Sequence, residues 1–300
     1  LAEGKPMFRK SRIFQSFFIY ALFSATAASA PCASDALGVR RTLTFGAQGG
    51  LEIGLKSYPR TLDLADHEII LTFDDGPAPG TTAKVLDALV KECVKATFFL
   101  IGRNAESMPW LAKRIAAEGH TIAHHTYSHP AATLRGLDET QARREIDRGI
   151  AAVERAAYGA NATPPHTRFF RFPGFADSPA LNGWLASRDI AVIGTDLWAS
   201  DWTPMTPEAQ LTLLLDRVEK NGRGIVLMHD IKRQTAAMLP NFLRQLKKRG
   251  FSIVHIVPGM SAAPLRSAPP GWRSATDQIR PKLSKQPPTS RRPTTKHPSG

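Results

Sequence analysis

From Glu68 to Val257 the chain alternates short apolar runs with longer stretches of helical periodicity, and this alternation is the strongest constraint on its fold. Strand-like runs fall at Ile69–Phe73, Ala96–Ile101, Thr121–His124, Phe169–Phe172, Ile190–Gly194, Ile225–Met228 and Phe251–Val257. Helical patterns separate them at Thr81–Lys91, Glu106–Glu118, Glu139–Ala157, Pro179–Arg188, Pro207–Lys220 and Gln234–Arg249. Ser178 before Pro179 and Thr206 before Pro207 read as an N-cap followed by a proline whose φ already suits the first turn. Gly119 and Gly250 read as C-terminal stops. Seven strands alternating with helices build a parallel sheet covered on both faces, or a barrel.

Polar residues collect where these strands end. Asp74 and Asp75 follow the first, in Thr72-Phe73-Asp74-Asp75-Gly76-Pro77. His125 and His129 follow the third, in His125-Thr126-Tyr127-Ser128-His129-Pro130. Arg171 lies in the fourth, in Arg171-Phe172-Pro173. Asp201-Trp202 comes after the fifth, and His229 ends Leu227-Met228-His229-Asp230 after the sixth. Such residues converge at the C-terminal mouth of a barrel but spread along one edge of an open sheet. We therefore expect a distorted seven-stranded (β/α) barrel.

Each cluster has a bland explanation and a chemical one. Asp, Gly and Pro form turns, so Asp74-Asp75-Gly76-Pro77 reads equally well as a turn. As a site, one carboxylate binds a metal and its neighbour takes a proton from water. His125 and His129 are spaced i, i+4, so on a helical turn both imidazoles face one cation. His124 points to the alternate face and reads as a satisfied or exposed histidine. Two histidines and one aspartate leave coordination positions for water and substrate, as catalytic metal sites do. Arg171 is a charge inside Phe169-Phe170-Arg171-Phe172, so burial there requires a partner, and Asp74 is the natural one. Beside the base, Arg171 would hold it ionised. Trp198 and Trp202 serve as core, rim or sugar-stacking wall. Asp201, if bonded to His229, raises its pKa and makes it a general acid.

All five clusters, in this order, resemble the polysaccharide deacetylase family, the NodB-type or carbohydrate esterase family 4 domain. The resemblance covers roughly residues 66–258. It implies the barrel, and a metal bound by Asp75, His125 and His129. That metal is usually Zn²⁺, with Co²⁺, Mn²⁺ or Mg²⁺ as alternatives. By the same resemblance Asp74 is the general base, His229 the general acid, Arg171 the partner of Asp74 and Asp201 the partner of His229. Leu227 and Trp202 line an acetyl pocket, and Gly174, after Pro173, offers a backbone N–H to the oxyanion.

The implied activity is removal of N-acetyl groups from a glycan with N-acetylglucosamine units: peptidoglycan, chitooligosaccharide or exopolysaccharide. Competing readings are an O-acetyl esterase or small-molecule amidase on the same scaffold, and a non-catalytic carbohydrate-binding protein. Retention of Asp74, Asp75 and His229 weighs against the last. Two departures stand out. The family's fourth motif has an aspartate three residues before the one preceding Trp202; here that position is Trp198, and Asp196 lies further back. The outer partner of Arg171 is therefore in question. The aromatic usual after the third motif's proline is displaced by Gly174 to Phe175.

The formal charge is +13 over 300 residues. It is concentrated at the ends: residues 261–300 hold eight Lys/Arg and one acid, residues 1–30 four and one. The body is left near neutral, at about +3. Met7, then Arg9, Lys10 and Arg12, an apolar run Ile13–Ala25 and Ala27-Ala28-Ser29-Ala30 have the order of a secretory signal peptide. The first six residues read as an upstream extension. We expect a signal segment over 1–30, an irregular lead-in over 31–66, the catalytic domain over 67–260 and a disordered, Pro-rich basic tail over 261–300. The implied place is periplasmic or secreted, in a bacterium, with an uncleaved anchor as the alternative. The tail reads as a spacer, or as an electrostatic contact with an anionic envelope polymer. No nucleic-acid partner is expected, and a monomer is. Cys32 and Cys93 are the only cysteines. Cys93 falls on the apolar side of a helical pattern and reads as a buried free thiol, although export permits a disulfide.

Overall fold

The structure, a computed structural model, describes Leu1, residues 32–160 and residues 165–278. The expected signal segment, residues 161–164 and the chain beyond residue 278 lie outside the described residues. All elements below belong to the unit that begins at Cys32.

The strands are β1 (Val39–Phe45), β2 (Leu51–Ile53), β3 (Arg60–Leu62), β4 (Glu68–Asp74), β5 (Thr97–Leu100), β6 (Thr121–His124), β7 (Phe169–Phe170), β8 (Ala191–Ile193), β9 (Leu197–Trp198), β10 (Gly224–His229), β11 (Ser252–Pro258) and β12 (Leu265–Ser267). The helices are α1 (Thr82–Lys91), α2 (Gly102–Ser107), α3 (Pro109–Ala117), α4 (Glu139–Tyr158), α5 (Pro179–Ala186), α6 (Pro207–Asn221) and α7 (Arg233–Lys248). The main sheet is parallel throughout. It runs β9-β10-β4-β5-β6-β7-β8-β2, and β11 and β1 branch from the start of β4. Chain from the end of β8 leads straight into β9 at the far edge, so the sheet curls on itself as a distorted barrel.

Period-two alternation sorts the strand residues. On β4, Ile69, Leu71 and Phe73 face outward into a cluster with α1, α3, α6 and α7. Ile70 faces inward, with Phe99, Ala123, Phe169, Ile193 and Ile225 from neighbouring strands. Residues two apart share a face. The inward rows therefore continue as Ile70–Thr72–Asp74, Ala123–His125, Phe169–Arg171 and Ile225–Leu227–His229. Each row starts apolar, deep in the barrel, and ends polar at its mouth. Leu43, Phe45, Val254 and Ile256 of β1 and β11 join the inner cluster. There Thr121 Oγ1 donates to Ile256 O at 2.6 Å. Burying a phenylalanine such as Phe99 in this interior contributes on the order of 2–3 kcal/mol.

Helix starts follow expectation. Ser178 and Thr206 accept from the N–H groups of Leu181 and Ala209. Asp138 and Gln141 form a reciprocal capping box on α4. Four expectations are corrected. The stretch 106–118 is two helices, because Pro109 disfavours helical backbone at Met108. The lead-in over 31–66 is not irregular: it holds β1, β2 and β3, and β1 lies against β11 along its length. The segment after 260 is ordered as far as residue 278, with β12 antiparallel to β3 and Trp272 Nε1 donating to Leu55 O at 2.7 Å. Finally, Cys93 is not a free thiol but is bonded to Cys32, with Cα atoms 5.9 Å apart. Helix α1 ends at Lys91, and Cys93 adopts a left-handed φ of 52°. That turn takes its side chain off the helical face and toward the segment entering β1.

Candidate active site

The end of β4 divides two adjacent carboxylates. Asp74 closes the strand and points inward, where it is 3% exposed. Asp75 has φ 75°, a left-handed conformation that aspartate tolerates, and it turns toward the mouth. Its backbone is pinned by Asp75 N–H to Phe99 O at 3.2 Å and by Asn104 Nδ2 to Asp75 O at 2.8 Å.

The histidine pair is presented by a loop, not by the helical turn expected. Thr126 and His129 have φ of 65° and 51°. The first N–H groups of α2, on Gly102 and Arg103, donate to Thr126 O and Tyr127 O at 2.9 Å each. Those bonds leave the loop no helical pattern to adopt. Thr126 Oγ1 accepts from His129 N–H at 3.1 Å, a local cap of the kind its type favours. The rings still converge, with centroids 5.1 Å apart. His125 Nε2 and His129 Nε2 lie 3.5 and 3.6 Å from Asp75 Oδ1. His124, on the alternate face, bonds Thr167 O at 2.9 Å and takes no part.

These three side chains fit a metal. Among the described residues Asp75 Oδ1 is buried without a hydrogen-bond partner, a costly state for a carboxylate oxygen. The ligand atoms of Asp75, His125 and His129 lie within 4.8 Å of one another. His125 Nδ1 faces Arg171 O at 2.7 Å. A donor at Nδ1 leaves a lone pair at Nε2, directed at the same centre. Burial, with His129 adding to it, holds the His125 pKa down to about 3, so the ring is neutral and fit to ligate. A divalent cation would satisfy all three groups at once.

Arg171 spans the barrel interior. Its Nη1 donates to Asp74 Oδ1 at 2.6 Å and to Thr72 Oγ1 at 2.9 Å. Nε and Nη2 donate to Ile193 O and Gly194 O, each at 2.8 Å. Two carbonyls and a threonine thus replace the outer aspartate whose absence leaves the arginine's partner open in the sequence. Thr72 was detectable: it stands two residues before Asp74 and so shares its face. Asp196 does other work, accepting from Leu55 N–H, Thr61 Oγ1 and Ile225 N–H at 2.8–2.9 Å. The expectation that Arg171 holds Asp74 ionised is only half right. Burial pushes the Asp74 carboxyl above its ordinary value, while Arg171 and His229 pull it back.

On the other side, His229 Nδ1 meets Asp201 Oδ1 at 2.7 Å, and His229 N–H donates to Asp201 Oδ2, also at 2.7 Å. Thr235 Oγ1 bonds the same Oδ2 at 2.7 Å. Thr235 was not anticipated, and its place on α7 gives no sequence signal. Burial alone would lower the His229 pKa, but the Asp201 hydrogen bond and charge, then Asp75 and Asp74, lift it to about 9. Its Nε2 lies 3.9 Å from Asp75 Oδ2, facing the centre. Trp202, half exposed, stands edge-on to the His229 ring at 6.1 Å. Leu227 is buried on the inward row two residues before His229. Gly174 is exposed with φ 58°. The turn bonds run from Phe175 N–H to Phe172 O and from Ala176 N–H to Pro173 O, leaving the Gly174 N–H outside them. Asp230 was also missed as a structural element: it is buried against Gly76, and Thr82 Oγ1 donates to it at 2.5 Å.

Comparison with known proteins agrees with this geometry. Residues 62–182 match the family model described as polysaccharide deacetylase. A chitooligosaccharide deacetylase of Sinorhizobium fredii is 32% identical over 212 residues, which are 66% of this chain and 94% of that protein. A peptidoglycan-N-acetylglucosamine deacetylase of Bacillus cereus is 50% identical over 191 residues, 62% of this chain and 66% of its own length. Among solved structures, a peptidoglycan deacetylase of Bdellovibrio bacteriovorus superposes with a TM-score of 0.63 at 31% identity, over 82% of this chain and 63% of that one. The five strand-end clusters, the converging ligands and these similarities lead to one assignment: the chain belongs to the polysaccharide deacetylase family.

Proposed function

We propose that the protein is a metal-dependent hydrolase that removes N-acetyl groups from N-acetylglucosamine units of a glycan and releases acetate. The observation that carries this reading is the buried, unpartnered Asp75 Oδ1 facing two imidazole nitrogens, with a carboxylate base on one side and an imidazolium on the other. A divalent cation held by Asp75, His125 and His129, Zn²⁺ by family resemblance, supplies Lewis acidity toward the amide carbonyl and a more acidic water.

The remaining work belongs to the chain. Arg171 occupies Asp74 Oδ1, and Asp74 Oδ2 faces the centre 3.9 Å from His125 Nε2. That free oxygen takes the proton of the attacking water. The burial that raises the Asp74 pKa makes it a stronger base. The Gly174 N–H is available to the developing oxyanion. His229, protonated up to about pH 9, gives its Nε2 proton to the amine nitrogen as the C–N bond breaks. Water is consumed, and acetate and a glucosamine unit leave. Leu227 and Trp202 bound the space for the acetyl methyl.

An exported enzyme fits this substrate, and the Cys32–Cys93 bond supports that placement because disulfides persist in oxidising compartments. The test is acetate release from N-acetylglucosamine oligomers and peptidoglycan by metal-stripped protein, before and after Zn²⁺ is restored. Release is expected only with metal, and Asp74→Asn should abolish it while metal still binds. Metal binding without release from any glycan would move the substrate to an O-acetyl ester or a small amide. Failure to bind metal would overturn the site.

A further inference from the structure

Three rings form a strip that starts at the proposed general acid. Trp202 stands 6.1 Å from His229, Trp198 is edge-to-face with Trp202 at 5.7 Å, and Phe175 lies 6.4 Å from Trp198. Trp198 occupies β9 in register with Leu227 of the acetyl pocket. Over its ring sits a cation: Lys56 Nζ is 4.9 Å from the centroid.

Lys56 is not a stray surface lysine. Its N–H donates to Thr195 O at 2.9 Å, and its carbonyl accepts from Thr276 N–H at 3.0 Å. Its neighbour Leu55 is clamped by Asp196 Oδ1 at 2.8 Å and by Trp272 Nε1 at 2.7 Å. Segments on both sides of the matched residues 62–182 thus converge on the backbone that carries this side chain. That ammonium is half-buried, and among the described residues it is paired with no carboxylate. Asp196, the acid that acts on it, has its oxygens committed to Leu55, Thr61 and Ile225. Arg217, which repels it, is itself bonded to Trp198 O and Ser200 Oγ at 2.6 and 2.7 Å. A partly desolvated charge without a counter-ion carries a cost that a bound anion relieves. One ammonium over one indole suits a monoanion on a ring that stacks.

We infer that Lys56 and Trp198 form an anion-selective glycan subsite beside the catalytic centre, which favours substrates whose neighbouring sugar carries a carboxylate. The inference rests on the deacetylase reading for its place in turnover, but its binding arm stands alone. The apolar face of the sugar packs on Trp198, and its carboxylate meets Lys56.

The experiment uses the full, metal-loaded chain and two oligomer sets of equal length. One is N-acetylglucosamine alone; in the other, alternate sugars bear a free 3-O-lactyl carboxylate. Tryptophan fluorescence titration gives affinity, and acetate release gives kcat and KM. We expect the acidic set to bind about tenfold more tightly, the scale of one partly desolvated charge pair. The acidic-to-neutral ratio should fall close to one in Lys56→Met and survive in Lys56→Arg. It should also survive in Lys84→Met, on the outer face of α1, and shrink in high salt. A ratio unchanged by Lys56→Met, or a wild type indifferent to charge, overturns the subsite. Purely structural damage would weaken both sets together and leave the ratio alone. A charge preference lost in Lys56→Met without acetate release from either set would support the subsite and sink the deacetylase reading. Acetate release from both sets without charge preference would do the reverse.

Discussion

Replacing Asp201 by Asn isolates the charge that raises the His229 pKa and so underlies its proposed role as the acid. The side chain is isosteric. Its oxygen can still accept from His229 N–H and Thr235 Oγ1, as Asp201 Oδ2 does. Its amide then donates toward His229 Nδ1, which stabilises the neutral ring in place of the imidazolium. What remains is burial, which lowers the pKa, and the more distant Asp75 and Asp74. We expect the His229 pKa to fall from about 9 to its ordinary 6.5 or below. With a pKa near 9, about nine-tenths of the enzyme carries the proton at pH 8; near 6.5, about 3% does, a loss of about thirtyfold in kcat/KM from protonation alone.

The direct assay is an NMR titration of the His229 imidazole in metal-stripped Asp201→Asn and wild type. The basic limb of the pH–rate profile in the loaded enzymes is the second readout. Stability supplies a third, with a definite sign. The folded pKa lies above the unfolded one, so the group stabilises the fold fully below about pH 6.5. That stabilisation is lost as pH rises toward 9. The shift corresponds to something on the order of 3 kcal/mol. Wild type should therefore lose melting temperature between those pH values by an amount the variant does not show. A variant imidazole that still titrates near 9 would refute Asp201 as the cause.

Other perturbations follow from single contacts. A Cβ on Gly149 would lie 2.4 Å from the Thr126 carbonyl carbon, so Gly149→Ala should displace the loop that carries His125 and His129. We expect metal affinity to drop by about tenfold or more, measured by competition with a chromogenic chelator; unchanged affinity would mean that α4 does not set the loop. Replacing Cys32 and Cys93 by Ser opens a link across 61 residues of sequence. The chain-entropy argument gives a loss of about 4 kcal/mol, read by denaturant unfolding, with zinc binding retained. Arg171→Met removes the buried counter-charge of Asp74, so the carboxyl should rise further in pKa. The acidic limb of the pH–rate profile should then move to higher pH, and an unmoved limb would refute Arg171 as the charge that offsets the burial of Asp74.

Much of the site is legible in the sequence because parallel strands buried on both faces read as unbroken apolar runs. A polar residue at the end of such a run is conspicuous. Asp74, His125, Arg171 and His229 all stand out for that reason. What escapes is whatever depends on pairing between distant segments. β1 alternates Arg40, Thr42 and Thr44 with residues that face the interior, and only its pairing with β11 makes it a strand of the sheet. β9 is two residues long and carries no period. The Cys32–Cys93 bond has no local signal either, since Cys93 leaves the helical face only through its left-handed turn.

The fourth motif shows how one substitution redistributes work between sequence-distant parts. With Trp198 where an aspartate is usual, the Arg171 guanidinium cannot be anchored by an outer carboxylate. It is anchored by two carbonyls at the end of β8, groups that every sequence supplies and none reveals. Asp196 is thereby free to face away from the arginine, and it fastens Leu55 and Thr61 of the N-terminal segment to Ile225 of the barrel. That fastening sets Lys56 over the ring of Trp198. The proposed metal ligands Asp75, His125 and His129 and the proposed acid–base pair Asp74 and His229 are held by other bonds. At the rim the indole of Trp198 and the Lys56 ammonium stand beside Trp202, and by our proposal they receive a neighbouring sugar. Asp196 and Trp198, two residues apart at the start of β9, thus do different work: the carboxylate ties Leu55, Thr61 and Ile225 together, and the indole stands under the Lys56 ammonium and against Trp202.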